Sequence, residues 1–352
     1  MYRVSIIMPV YNSIETLDYA VESLVNQTLH DLEIILVNDG STDGSGDLCE
    51  ELSKKHNNIR VYHQENQGCN YALAVGIEHA SSEYISYIDS DDFALPYMYE
   101  KLYKAIQKSD ADIVRAGLLR VHSKNLLDVL PYAKKGTISG IRNIAKIYEY
   151  PDKLYNQTEF VEDFFENRRA NSCTQLIIKK SILDISGFKN NLRYATDLYL
   201  WLDIFEKNRE LRIYTIPDIV YIYFSNRQGN MSSVERSKEW WNSCISVLNR
   251  KIQFCKIEKL SSTYHRTVNE LFNEFNSKRV DIRKRGALSS KLRKETYSIL
   301  RNSLFSLFRD RQYPVISKIG LMVFCISPSL YYMTRRVIRE PIKITDNNIC
   351  HN

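Results

Sequence analysis

The sequence VSIIMPVYNSIETLDYAVESLV, residues 4–25, contains the first strand and the first helix that we predict. Residues 4–9 form an apolar run rich in β-branched side chains, which is typical of a strand buried on both faces. Apolar side chains between positions 17 and 25 then recur at the spacing of one helix face. We expect Asn12 and Glu15 to form a capping pair just before this helix.

The same alternation of strand and helix continues to about residue 120. Further strands are predicted at residues 33–37, 60–63, 84–88 and 113–116, and further helices at residues 48–55, 71–80 and 96–108. Strands and helices that alternate at this spacing form an open, mostly parallel sheet with helices on both faces. The sequence therefore predicts an α/β fold.

The charge of the chain is unevenly distributed. Of the 352 residues, 44% are hydrophobic and 26% are charged, which excludes a disordered chain and a disulfide-stapled miniprotein. Residues 1–230 carry 25 basic and 32 acidic side chains, whereas residues 231–352 carry 23 and 10. We therefore expect one domain over residues 1–232 and a basic, mainly helical region over residues 233–352.

The cysteine pattern and the N-terminal residues indicate the cellular compartment of the protein. The seven cysteines are scattered and contain no CxxC pair or Cys/His cluster with zinc spacing, which fits a reducing environment. The N-terminal residues lack the long apolar run and small-residue cleavage site of a signal peptide. Together these features predict a cytoplasmic protein.

The residues that follow the predicted strands are the candidate functional residues, because ligands of open α/β sheets bind outside the carboxyl ends of the strands. They are residues 9–12 (PVYN), 38–41 (NDGS), 66–68 (NQG) and 89–92 (DSDD). Two of these ends carry carboxylates, which repel one another at a shared edge unless a cation compensates them. Such hard oxygen ligands suit Mg²⁺ or Mn²⁺, ions that also bind phosphate oxygens.

A second interpretation of the same aspartates involves no ligand. Asp91 and Asp92 can cap the helix predicted to begin near Pro96, and Asp39 can stabilise a turn. Asp197 opens a later predicted helix, where an aspartate is more often an N-cap than a catalyst. For any one aspartate this interpretation is favoured, but carboxylates at several strand ends in register favour a ligand site.

Several enzyme classes are excluded by the motifs that the sequence lacks. It contains no GxxxxGK[ST] phosphate loop, and PVYN stands where a dinucleotide-binding protein has GxGxxG. Neither a GxSxG elbow nor an HExxH zinc motif occurs, and the seven histidines form no ligand-spaced pair. The sequence therefore argues against a phosphate-loop NTPase and against a dinucleotide-binding dehydrogenase.

Taken in order, the motifs resemble the inverting family 2 glycosyltransferases of bacterial cell-surface polysaccharide synthesis, which have the Rossmann-like GT-A fold and use nucleotide-sugar donors. The resemblance is strong at SIIMPVYNSIETL (5–17), SLVNQTLHDLEIILVNDGSTDGS (23–45), ENQG (65–68) and AVGIEHASSEYISYIDSDD (74–92). It is weaker at GFKNNLRYATDLYLWL (187–202) and IVYIYFSNRQGNMS (219–232). It implies a nucleotide-sugar half over about residues 1–120 and an acceptor half over about residues 120–232.

The resemblance also implies roles for individual residues. Tyr11 corresponds to the side chain that stacks on the nucleotide base, and Asp39 to the carboxylate that binds it. The residues assigned to the nucleotide-sugar site are Pro9, Tyr11, Asn12, Asp39, Gly68, Asp89 and Ser90.

The acidic motif and Asp197 correspond to the catalytic part of the family's site. Asp89 and Asp91 form the DxD motif: Asp91 corresponds to the ligand of a divalent metal, Mg²⁺ or Mn²⁺, and Asp89 to the carboxylate near the donor ribose, which is also assigned to the metal site. Asp197 corresponds to the general base that takes the proton of the acceptor hydroxyl. The implied reaction is one direct displacement at the anomeric carbon.

The sequence departs from the family pattern at three places. Leu73 and Ala74 stand where an Arg-Asn pair is usual, Thr196 where a Glu precedes the catalytic Asp, and Phe224 where an Arg is usual, with Arg227 nearby. These departures leave open a non-catalytic GT-A-like binding or scaffold protein. A nucleotidyltransferase is a further alternative, although the chain lacks the glycine-rich triphosphate loop with Lys or Arg.

The basic C-terminal region has two interpretations. It can bind an anionic membrane surface, with residues 319–333 as an apolar interfacial segment, or it can be a helical tail that packs on the catalytic domain. The first, which we favour, predicts a protein at the inner face of the bacterial plasma membrane. The expected partners are a nucleotide-sugar donor and a saccharide or lipid-linked acceptor, and not nucleic acid, since no recognition motif is present.

Overall fold

A computed structural model describes most of the first two thirds of the chain. The described residues are 1–122, 125–166, 172–189, 192, 195–225, 238–258, 260, 263–264, 266–268, 294–296, 298–303 and 322. The chain divides into two compact units, Met1–Ser233 and Val234–Asn352.

Among the described residues, ten strands of the first unit form one sheet. The strands are β1 (Val4–Val10), β2 (Leu32–Asp39), β3 (Ile59–Gln64), β4 (Tyr84–Tyr87), β5 (Phe93–Ala94), β6 (Ile113–His122), β7 (Ala145–Tyr148), β8 (Lys153–Asn156), β9 (Leu176–Lys179) and β10 (Arg212–Ser225). Their order is β3-β2-β1-β4-β9-β6-β10-β5, with β7 also pairing with β6 and β8 with β10.

The helices of this unit lie between the strands along the chain. They are α1 (Leu17–Val25), α2 (Ser45–Lys55), α3 (Cys69–His79), α4 (Met98–Ser109), α5 (Leu126–Lys134), α6 (Gln157–Glu166), α7 (Ile185–Phe188) and α8 (Thr196–Lys207).

The long ladders of the sheet are parallel, as the sequence predicts. Strands β3, β2, β1 and β4 are all parallel neighbours, and β6 is parallel to β10. The antiparallel β9 lies between the two groups, where Ile178 pairs with Ile85 of β4 and with Ile113 of β6. The carboxyl ends of β1, β2, β3 and β4 therefore lie along one edge, and the predicted α/β fold is confirmed.

The first strand is covered on both faces. Ile6 and Met8 point into a cluster that includes Leu17 and Leu24 of α1, and they are fully buried. Ile7 points to the opposite face, because side chains alternate along a strand. There it meets α3 at Gly76, where a Cβ atom would lie 2.3 Å from Cγ2 of Ile7.

Two local predictions differ from the structure. The predicted capping pair is wrong, because α1 begins after Thr16, no side chain caps it, and Asn12 accepts a hydrogen bond from the Thr42 amide at 2.8 Å instead. Strand β6 continues to His122, whereas its apolar pattern predicts an end at Ala116. Pairing with β7 and β10 extends this strand, and pairing partners are not visible in the local sequence.

The described part of the second unit is helical. Helix α9 spans Lys238–Ile257, and the later described residues that have regular structure are helical too. No helix among the described residues is both long enough and apolar enough to cross a bilayer. The apolar segment 319–333, apart from residue 322, and the basic residues 278–285 lie outside the described residues.

We expect Gly76→Val to lower the free energy of unfolding by about 1–3 kcal/mol, because the added side chain overlaps buried Ile7. Urea unfolding followed by circular dichroism measures the change. As a control, Glu51→Ala at an exposed position of α2 should change the stability by less than about 0.5 kcal/mol. Equal stability of the Gly76 variant and the wild type would contradict the close packing of α3 on β1.

Candidate active site

The loop after β1 is joined to the acidic loop after β4 by a set of hydroxyl groups. The hydroxyls of Ser13 and Ser90 lie 2.7 Å apart, and the Thr16 hydroxyl donates to the Ser90 carbonyl at 2.7 Å. The Tyr19 hydroxyl donates to the carbonyl of Asp91 at 2.9 Å. Because these bonds fix the backbone of the acidic loop, its carboxylates project from a defined position at the sheet edge.

The same loop after β1 is also joined to the loop after β2. The amide of Asn12 donates to the Ser41 hydroxyl at 3.1 Å, and the Ser13 amide donates to the Ser45 hydroxyl at 2.8 Å. Tyr11 keeps 50% of its surface exposed at this position. Its ring is therefore available for stacking against a ligand, and Pro9 lies two residues before it in β1, paired with Val37.

Asp39 organises the loop that leads into α3. Its carboxylate accepts hydrogen bonds from the Gln64 side chain at 2.7 Å, the Gln67 amide at 2.8 Å and the Gly68 amide at 2.9 Å. Gly68 has a φ of +97°, a conformation that side chains rarely adopt. A carboxylate has about four acceptor positions, so Asp39 keeps capacity for a further donor. All three donors lie in residues 64–68, so Asp39 stabilises the loop after β3 and not only the turn that follows it in the chain.

The acidic loop brings three carboxylates together. Oxygens of Asp89, Asp91 and Asp92 lie within 4.8 Å of one another. Asp92 is fully buried and accepts hydrogen bonds from the Tyr221 hydroxyl at 2.7 Å and the Phe224 amide at 2.9 Å. The alternative that it caps the next helix is therefore wrong for Asp92.

The charge of this cluster calls for a cation. Burial raises the pKa of Asp89 well above its usual value, and the neighbouring carboxylates of Asp91 and Asp197 raise it further. Since Asp92 is engaged by β10, the oxygens of Asp89 and Asp91 are those that fit a hard divalent ion such as Mg²⁺ or Mn²⁺. Such an ion would offset the repulsion that the three carboxylates otherwise exert on one another.

Asp197 lies in the first turn of α8. Burial raises its pKa to about 6, while hydrogen bonds from Cys173 and the charge of Arg115 act in the opposite direction. The N-cap of α8 is Ala195, with a φ of +58°, so Asp197 is not the capping residue. A carboxylate with this pKa is ionised at neutral pH and is basic enough to accept a proton.

Three aspartates lie close enough to Cys69, the first residue of α3, to act on its thiol. Asp39 ends β2, Asp89 lies in the loop after β4, and Asp197 lies in α8. Burial raises the pKa of this thiol, and the carboxylates of Asp89, Asp197 and Asp39 raise it further, in that order. These three side chains come from sequence positions that span 158 residues, from 39 to 197. The structure therefore brings the acidic loop, Asp39 and Asp197 into one site.

A comparison with known families decides the identity. The family model described as "Glycosyl transferase family 2" matches residues 5–181. The chain belongs to glycosyl transferase family 2. This enzyme is thus a glycosyltransferase, as the resemblance implies, and the α/β sheet described above is its GT-A fold.

Individual relatives support this assignment. The enzyme is 29% identical over 263 residues to Glycosyltransferase GlyG of Streptococcus pneumoniae, which covers 73% of this chain and 82% of that protein. It is 40% identical over 261 residues to Glycosyltransferase GlyA of the same species, but that match covers only 34% of GlyA. Among solved structures, S. aureus TarS 1–349 in complex with UDP has a TM-score of 0.63 at 16% identity, covering 99% of this chain and 97% of that one.

Two of the three places where this glycosyltransferase departs from the family pattern are buried and apolar, whereas the third, Thr196, is the partly buried first residue of α8. Leu73 is 6% exposed and Ala74 is fully buried, so this part of α3 belongs to the core. Phe224 is also fully buried and packs edge-on against Tyr19, with ring centroids 6.3 Å apart. Arg227, the nearby arginine, lies outside the described residues.

Sequence reasoning missed several residues of this site. Asp92 is predicted as one of the DSDD carboxylates or as a helix cap and not as the anchor to β10, and Cys69, Cys173 and Arg115 are not singled out. A signal did exist for Arg115, since it is the one charge in the apolar run IVRAGLL of residues 113–119. For Cys69 and Cys173 nothing in the local sequence distinguishes a site residue from an ordinary buried cysteine.

We expect Asp92→Ala to destabilise the enzyme by about 1–3 kcal/mol, because the buried Tyr221 hydroxyl and Phe224 amide lose their acceptor. Chemical unfolding measures this loss. Tyr221→Phe removes only one of the two bonds and should cost less, since Asp92 still accepts from Phe224. A loss for Tyr221→Phe that equals or exceeds the loss for Asp92→Ala would contradict the proposed anchor.

Proposed function

We propose that this glycosyltransferase transfers a sugar from a nucleoside-diphosphate sugar to an acceptor hydroxyl, with inversion at the anomeric carbon and with help from a divalent metal. The observation that carries this proposal is the convergence of Asp39, Asp89 and Asp197 around the start of α3. In this proposal Asp39 binds the nucleotide base, Asp89 belongs to the metal site and Asp197 is the general base, and all three lie in one site. The acceptor is a saccharide or a lipid-linked saccharide.

The donor half of the site is the edge formed by the loops after β1, β2 and β3. The half-exposed ring of Tyr11 stacks on the base, and Asp39 uses its remaining acceptor capacity for a base N–H. Asn12, Gly68 and Ser90 hold the loops around the nucleotide through their backbone and side-chain bonds. The TarS structures with the same fold contain UDP and UDP-GlcNAc, which makes UDP the first nucleotide to test.

Asp89 and Asp91 are the residues that would hold the metal, Mg²⁺ or Mn²⁺. When bound, the ion neutralises charge on the diphosphate and so stabilises it as a leaving group. Asp92 and the hydroxyls of Tyr19 and Thr16 keep the acidic loop in place during this step. No nucleophile on the protein is required.

Asp197 acts as general base. Its carboxylate takes the proton from the acceptor hydroxyl while that oxygen forms a bond to the anomeric carbon. The bond between this carbon and the diphosphate oxygen breaks, and the nucleoside diphosphate leaves with the bonding electrons. General-base assistance of this kind contributes about 10²–10⁴-fold to the rate.

The two alternatives make different demands on the structure. A nucleotidyltransferase requires a triphosphate loop that the sequence lacks, and the glycosyltransferase relatives also disfavour it. A non-catalytic binding protein would account for the missing polar donor contact at the buried Leu73 and Ala74, but the glycosyltransferase relatives disfavour it as well. The Asp197 experiment below separates that alternative from an active enzyme.

We also propose that the enzyme works in the cytoplasm at the inner face of the bacterial plasma membrane. The support is the surplus of basic over acidic side chains in residues 231–352, which would attract anionic lipids. In this proposal residues 1–232 form the catalytic domain, and residues 233–352 face the membrane surface.

We expect UDP to bind with Mn²⁺ at least tenfold more tightly than with EDTA, and Asp91→Ala to abolish this difference. Isothermal titration calorimetry measures both affinities. Asp128→Ala, which removes an exposed carboxylate of α5, should leave both values unchanged. The metal site would be refuted if wild type bound UDP, GDP and dTDP as tightly with EDTA as with Mn²⁺, with the same affinities as Asp91→Ala.

We expect Asp197→Asn to reduce sugar transfer by about 10²–10⁴-fold while nucleotide affinity is kept. Since the base works when deprotonated and its pKa is about 6, wild-type turnover should be constant above that pH and fall as pH decreases through it. Asp18→Asn is the matched control, because it removes an exposed carboxylate in the first turn of α1, and it should leave sugar transfer unchanged. Undiminished transfer by Asp197→Asn would show that another group is the base.

A further inference from the structure

A fully buried arginine lies beside the site. Arg115 is in the middle of β6 and has no exposed surface, although the strand around it is apolar. Burying a guanidinium is strongly unfavourable unless the surroundings compensate its charge. The contacts of Arg115 therefore indicate what this charge does.

Three aromatic rings surround the guanidinium. Its central carbon lies 4.8 Å from the ring centroid of Tyr150, 5.3 Å from that of Trp201 and 5.5 Å from that of Phe164. Cation–π attraction stabilises a desolvated guanidinium in such a cage. Trp201 is itself fully buried and lies one helical turn after Asp197 on α8, so the cage holds the first turn of this helix.

The polar contacts of Arg115 lead to the backbone of Asp197 by a second route. Its Nη2 donates to the Ser172 carbonyl at 3.1 Å. In the amide orientation that satisfies both side chains, the Gln175 oxygen accepts from Nη2 at 2.9 Å and from Nε at 3.1 Å. Cys173, between these two residues, donates through its thiol to the Asp197 carbonyl at 3.8 Å.

We propose that Arg115 is a positioning residue for Asp197, because it joins β6 to both segments that hold this carboxylate. One segment is the start of α8, reached through Trp201, and the other is residues 172–175. The inference rests on the proposed role of Asp197 as general base. It adds a residue that does not touch substrate but sets where the base stands and how basic it is.

The charge of Arg115 acts in the same direction as its contacts. Among the described residues, the titratable groups that influence Asp197 or are influenced by it are Arg115, Cys173, Asp89 and Cys69. Arg115 is the one positive charge among them, and it lowers the pKa of Asp197 against the effect of burial. Without this charge the carboxylate would hold its proton to a higher pH.

The test is the pH profile of turnover in Arg115→Met, Arg115→Lys and wild type. We expect the acidic limb of Arg115→Met to move up by about one pH unit, because a nearby opposite charge is lost. Arg115→Lys, which keeps the charge, should restore most of the wild-type profile. Arg212→Met is the matched control, since Arg212 pairs with Asp110 at the surface, and its limb should coincide with the wild type.

A shift of the limb separates this proposal from a structural role, since lost packing lowers turnover at every pH without moving the limb. If Arg115→Met does not fold, Gln175→Glu carries the test, because the new carboxylate offsets the guanidinium charge and keeps the packing volume. It should also move the limb upward. A folded Arg115→Met or Gln175→Glu whose limb coincides with the wild type overturns the proposal.

A second readout does not depend on activity. In protein labelled with ¹³C at aspartate carboxyls, the Asp197 signal is identified by its loss in Asp197→Asn, and its titration midpoint is compared with that in Arg115→Met. A higher midpoint in the variant supports the proposal, and an equal midpoint overturns it. If Asp197→Asn keeps full turnover while the midpoint shifts, the assignment of the base fails and the influence of Arg115 on Asp197 stands.

Discussion

The site depends on one buried carboxylate, that of Asp92, which joins the acidic loop to β10. The loop follows β4 in the first parallel group of strands, whereas Tyr221 and Phe224 belong to β10, beside β6 in the second group. Phe93, the residue after Asp92, begins the short strand β5 and pairs with Ile222 of β10. Because Asp92 is fully buried, both its donors would be costly to leave unpaired. The positions of Asp89 and Asp91 follow from this anchor.

The site contains several carboxylates and few positive charges that compensate them. Burial raises the pKa values of Asp89 and Asp197, and the carboxylates of Asp91 and Asp197 raise that of Asp89 further. Arg115 provides compensation on the side of Asp197, and a bound divalent ion would provide it on the side of Asp89 and Asp91. This division keeps Asp197, the base in our proposal, ionised near neutral pH and leaves Asp89 and Asp91 as the candidate metal ligands.

The prediction from sequence succeeded where the signal is local. The strands and helices predicted up to residue 120 occur where the apolar periodicity indicates, with ends that differ by at most six residues, whereas the two-residue strand β5 was not predicted. Between residues 118 and 158 the pattern is weak, and the structure places α5, β7 and β8 there. Those two strands are short and pair with β6 and β10, so their formation depends on partners distant in the chain.

The sequence by itself determined the α/β class, the alternation of strands and helices up to about residue 120 and the DSDD motif at a strand end, because each of these depends on neighbouring residues. Only the tertiary structure decided which carboxylates meet. Asp197 on α8 lies close enough to Asp89 to raise the pKa of that carboxylate, Asp92 bonds to β10, and Arg115 lies in an aromatic cage. These contacts join positions far apart in the chain. Burial, which sets the pKa values of the aspartates, is likewise a property of the whole fold.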